Sequence, residues 1–177
     1  MRGRARALAA RTLRENVAVF RERGFLLELE SGPLEATVRR DGLALRLRMA
    51  PRGGIFGGSF ALEIAAADAP LAASRGLVGR GRGLVRLSRL EFRPKRRDAE
   101  GRRLAARLEG DRRLQESLAD VHFERISVDP AGRPAIRHMG GSVVWVLFPP
   151  LVRAVPLVPE QAEAAARAFE AFDRVAS

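Results

Sequence analysis

Cysteine is absent from this chain. That removes disulfides, cysteine–zinc centres, iron–sulfur clusters and a thiol nucleophile together. It accords with a reducing compartment, and the expected location is cytoplasmic. Tyrosine is absent too, and there is one tryptophan. The nine phenylalanines fall mostly at core phases, so an aromatic platform for stacking bases has little support. Only two histidines occur, and no metal-ligand spacing surrounds them. The expectation is no metal and no cofactor. No apolar run approaches the roughly 20 residues that cross a bilayer, so no transmembrane segment is expected. The basic N-terminus lacks the apolar stretch and cleavage site of a secretory signal.

Lysine is nearly absent as well: Lys95 is the only one, and arginine supplies the rest of the 32 basic residues. The formal net charge is +11. Residues 1–23 carry seven arginines against Glu15 and Glu22. Residues 75–113 carry thirteen arginines and Lys95 against five acids. The remainder is slightly acidic. A GC-rich coding sequence explains arginine in place of lysine, but not this segregation. Clustered charge creates a field that attracts polyanions, whereas mixed charge cancels.

With 46% hydrophobic residues in 177, the composition suits one domain spanning 1–177 with a single core. Ala5, Ala9, Leu13, Val17 and Phe20 share a helical face, which predicts an amphipathic helix over 4–22. Arg4, Arg11, Arg14 and Arg21 take the opposite face, a candidate surface for a membrane or polyanion. From Phe25 the period becomes two. Leu27 and Leu29 alternate with glutamates; Leu34, Ala36 and Val38 follow; Asp41-Gly42 marks a hairpin. Leu43, Leu45, Leu47 and Met49 then point inward, as do Phe60, Leu62 and Ile64 after a glycine-rich turn at 53–58. This predicts an antiparallel meander.

Residues 66–83 read as irregular and mark a possible lobe junction. A strand is expected over 84–92. Asp98 and Asp111 suit the caps of two short helices carrying Leu104, Ala105 and Leu108, then Leu114 and Leu118. A second sheet region follows, with strands over 121–128 and 134–138 around an Asp129–Gly132 turn. Gly140-Gly141 separates it from an apolar run at 142–148. An apolar crossover leads from that run to a helix opened by Pro159. The expected fold class is α+β: antiparallel sheet regions with an N-terminal helix, two short middle helices and a C-terminal helix packed on the sheet.

Three candidate sites emerge. The first is anionic-ligand binding by Arg80 and Arg82 in a glycine-rich segment, joined by Arg93, Lys95, Arg96, Arg97, Arg103 and Arg107. Neither a dinucleotide fingerprint nor a phosphate loop is present. The second is an acid–base or pocket site near Asp120, His122, Glu124 and His138. The third is an apolar edge along 143–158, with Trp145 and Phe148, that meets a partner protein, as in an oligomerising accessory subunit, or dips into a membrane interface. No GxSxG elbow and no catalytic residue is identified. The sequence favours a non-enzymatic binding or adaptor domain whose arginine-rich face meets nucleic acid, an anionic membrane surface or an acidic protein.

Overall fold

The alternation from Leu34 to Ile64 becomes consecutive antiparallel strands. The computed structural model describes residues 2–67, 71, 76–82, 89–94 and 99–176. Its elements run α1 (Arg2–Glu22), β1 (Leu26–Gly32), β2 (Glu35–Arg40), β3 (Leu43–Gly54), β4 (Gly57–Ala66), β5 (Leu77–Arg82) and β6 (Arg89–Pro94). They continue with α2 (Ala99–Gly110), α3 (Arg112–Ala119), β7 (Phe123–Val128), β8 (Pro134–Val146), β9 (Leu151–Val155) and α4 (Pro159–Ala176). The fold is α+β. Nine strands form one antiparallel sheet in the order β1-β2-β3-β4-β8-β7-β5-β6, with β9 beside β8.

α1 ends where predicted. Gly24 adopts φ +82°, and the amide of Phe25 donates to the carbonyl of Phe20 at 3.2 Å, a left-handed helix stop. The β2–β3 hairpin turns on Asp41 and Gly42, both with positive φ, as a two-residue primed turn requires. Ala5, Ala9, Leu13, Val17 and Phe20 of α1 bury their face against strands that present Leu45, Leu47, Met49, Leu62 and Ile64. α4 adds Ala162, Ala165, Ala166, Phe169 and Phe172 to the same core. Each large apolar side chain taken fully out of water contributes about 2–3 kcal/mol, so this face dominates stability. The Asp111 cap forms as expected: its carboxylate accepts from the Leu114 amide at 2.7 Å. Asp98 lies outside the described residues.

The structure corrects several expectations. The two sheet regions are one sheet, because β4 pairs with β8. Residues 77–82, read as irregular, form β5 between β6 and β7. The strand expected over 84–92 is described only from Arg89 and runs to Pro94. Gly140-Gly141 does not break the chain; β8 passes through it with a register shift opposite Phe60–Leu62. A positive φ at Gly141 absorbs that bulge. The stretch after Trp145 is a hairpin into β9, not a crossover. β1 is an edge strand exposed on both faces, so Leu27 and Leu29 do not enter the core. Two register shifts along β1 break the alternation on which that expectation rested.

α1 and α4 cover one face of the sheet, and α2 and α3 extend that layer beside β6. Among the described residues, the opposite face carries no helix. Register and burial place Ala44, Ala50 and Ala61 there, between Arg46, Arg48 and Arg52. Long arginine stems cover the small residues and keep their guanidinium groups in water.

Candidate functional site: an arginine cleft on the open sheet face

The helix-free face gathers cations from strands far apart in the chain. Arg137 of β8 is the register partner of Glu63 on one side and of Arg125 on the other. Arg93 of β6 lies across β5 from Ser127, since Val78 pairs with both. Arg52, Arg93, Arg125 and Arg137 line a shallow cleft of about 470 Å³, with Glu124 at its side and the Gly79 backbone in its floor.

The pairing inside this cleft is uneven. Arg137 donates to Glu63 at 2.6 Å, and Arg48 donates to the same carboxylate at 2.7 Å. Burial pushes the Glu63 carboxyl up, but the bonds from Arg137 and Arg48 outweigh it and hold the group below the usual carboxylate range. Arg52 is bonded to Glu124. Arg93 stands 3.8 Å from Glu91, a weak exposed contact. The Arg125 side chain is exposed and has no ion pair or hydrogen bond with any described residue. The cleft therefore retains cationic donors for an outside anion. Guanidinium forks match the geometry of phosphate and carboxylate oxygens.

The sequence-derived anion set divides. Arg93 is in the cleft. Arg80 and Arg82 lie on β5, opposite Glu91 and Arg89 in the register. Lys95, Arg96 and Arg97 lie outside the described residues. Arg103 and Arg107 belong to α2 in the helical layer, where Arg107 donates to the carbonyl of Val175. On α1, Arg4, Arg11, Arg14 and Arg21 are exposed as predicted, and Arg11 bonds Glu15 at 2.9 Å. That helix packs on the other side of the sheet from the cleft. Gly79 has a packing reason for being glycine: an added Cβ would meet Phe92 at 3.1 Å and Ile126 at 3.3 Å.

The proposed acid–base group is dispersed. His122 precedes β7 and is exposed, Glu124 turns to Arg52, and Asp120 caps α3 and bonds Arg167 at 3.4 Å. His138 is buried in the sheet, where its Nδ1 accepts from the Gly140 amide at 2.9 Å. Burial, with a smaller push from His122, moves its pKa down, so the ring is neutral. Trp145 is also buried, packed on Phe60 at 5.6 Å between ring centroids, which removes it from a partner surface. Phe148 is 87% exposed. No group of three or more metal-ligating side chains occurs among the described residues.

Sequence reasoning did not find Arg52, Arg125 and Arg137. Their one signal was the polar phase of the strand alternation, and it needed the register between β3, β4, β8 and β7 to become a site.

A family model described as "Protein of unknown function (DUF3156)" matches residues 24–176. The chain belongs to this family. The match begins directly after α1 and takes in the whole sheet and the cleft. No curated protein and no solved structure matches the chain. Among the described residues, no helix is long and apolar enough to cross a membrane.

Proposed function

We propose that this chain is a non-enzymatic binding domain whose open, arginine-rich sheet face engages an anionic partner. The observation that carries this reading is the exposed Arg125, which has no ion pair or hydrogen bond among the described residues, in a cleft it shares with Arg52, Arg93 and Arg137. Among the described residues, helices cover the other side of the sheet and none covers this one. The residues of the enzymatic alternative, by contrast, are scattered between the surface and the core.

The test is binding of a labelled oligonucleotide and of anionic lipid vesicles, each at low and high salt. Binding should weaken linearly in log affinity against log salt. The double variant Arg93→Glu, Arg125→Glu should lose it, while Arg103→Glu on the helical side should retain it. If neither probe binds at low salt, or the cleft variant binds like the parent, the proposal fails.

A further inference from the structure

Two hairpin tips stand side by side at one end of the sheet. The β3–β4 hairpin turns at Ile55 and Phe56, which are 87% and 75% exposed. The β8–β9 hairpin turns beside Leu147 and Phe148, and the Leu147 amide donates to the Phe56 carbonyl at 2.9 Å. That bond ties the tips into one apolar prow. Immediately behind them, exposed Leu151 pairs with Val146.

The next row of the open face is cationic at both ends. Arg52, Ser59, Val144 and Arg153 are successive register partners across β3, β4, β8 and β9. Two residues of strand, about 7 Å, separate that row from the last pairs of the hairpins. On the helical side, Arg2 and Arg6 of α1 share a groove of about 660 Å³ with Pro51, Arg52 and Gly53, so cations flank the prow there as well. Arg2, Arg6 and Arg153 have no ion pair among the described residues, and Arg52 is held by Glu124.

Exposed aromatic and aliphatic side chains at two hydrogen-bonded tips, with guanidinium groups several ångströms behind, match the layering of a bilayer boundary. Apolar groups enter 5–10 Å, to the edge of the acyl region, and cations meet the phosphates above it. A second copy of this chain docked tip to tip would bring the cationic rows together, which opposes that occupant. The exposed leucines of β1 lack this arrangement, since Glu28 and Glu30 lie among them.

We infer that the Ile55-Phe56 and Leu147-Phe148 tips insert into the headgroup boundary of an anionic lipid bilayer, with Arg2, Arg6, Arg52 and Arg153 meeting lipid phosphates. The inference rests on the proposed reading of an arginine-rich face that meets anions, and it names a lipid surface as the partner at the Arg52 end of that face.

The experiment is co-sedimentation of the full chain with vesicles of phosphatidylcholine alone or mixed with phosphatidylglycerol. Binding of the labelled oligonucleotide is measured in parallel. The parent should bind the mixed vesicles and not the neutral ones. The variant Phe56→Ser, Phe148→Ser should lose affinity for mixed vesicles by about tenfold or more. Its oligonucleotide binding and thermal midpoint should be unchanged, because both side chains already face solvent. Phe56→Leu, Phe148→Leu should restore most vesicle binding. The inference is overturned if the serine variant sediments like the parent, or changes oligomeric state instead. It is also overturned if oligonucleotide binds through the cleft while no vesicle is bound, an outcome that leaves the anionic-partner reading standing. Absence of binding to both probes removes that reading itself.

Discussion

Arg40, on the last residue of β2, donates to Glu163 of α4 at 2.9 Å across 123 residues of sequence. The same guanidinium donates to the carbonyl of Arg23 at 2.9 Å and to Glu170 at 3.1 Å, and it lies 4.6 Å from the centre of the Phe25 ring. One side chain thus joins the end of α1, the meander and the last helix. Its hydrogen bond to Glu163 outweighs the cost of burial, and its pKa is raised.

Replacing Arg40 with methionine should therefore destabilise the fold by about 2 kcal/mol, because Glu163 and the Arg23 carbonyl lose their donor. Chemical denaturation of Arg40→Met, Glu163→Gln and the double variant measures this. Additive effects of the two single changes would show that the pair is not coupled.

Asn16 of α1 donates to the carbonyl of Gly141 at 2.9 Å, and both residues are buried. Asn16→Leu should cost about 2 kcal/mol, since a buried carbonyl at the β8 bulge is left without a partner. A melting temperature equal to the parent's would refute this.

The only tryptophan reports on the prow. A Cβ on Gly58 would collide with the Trp145 ring and with the Arg52 carbonyl. Gly58→Ala should push Trp145 toward water, shift its emission to the red and cost about 1–3 kcal/mol. Unchanged emission would mean that the ring does not rest on that glycine.

His138 sets a pH response. Its folded pKa is lowered, so the unfolded chain takes up a proton first as pH falls below the ordinary histidine value of about 6.5. The stability contributed by the neutral ring is fully present above that value and declines below it. Glu63 and Asp129, both held low, lose their contributions only further down, below the ordinary carboxylate range. Urea midpoints from pH 7 to 5 should fall for the parent and stay flatter for His138→Gln. Equal slopes would assign the response elsewhere.

The parts of the fold that sequence alone revealed are those whose pattern is local. The stripe from Ala5 to Phe20, the Asp41-Gly42 turn and the Asp111 cap each depend on neighbours within a few residues. β5 was hidden because one of its inward positions is Gly79, where Phe92 and Ile126 fill the space and no apolar alternation remains. β8 looked like two pieces because its bulge is made from two glycines. The cleft was hidden for a different reason. Arg52, Arg93, Arg125 and Arg137 come from β3, β6, β7 and β8, and only long-range register brings them together. Charge density along the chain pointed to 75–113, and among the described residues that segment's candidate set gives the cleft Arg93.

β8 is the one strand that bonds to β4, β7 and β9. Until residues 134–146 arrive, the meander and the β5–β6–β7 group are separate sheets, each with an unpaired rim. Such rims pair readily with other chains. The joining of the two halves should therefore be the step at which refolding competes with self-association. Its yield should depend on protein concentration more than on temperature, through a central seam that closes late because its partners are distant in sequence.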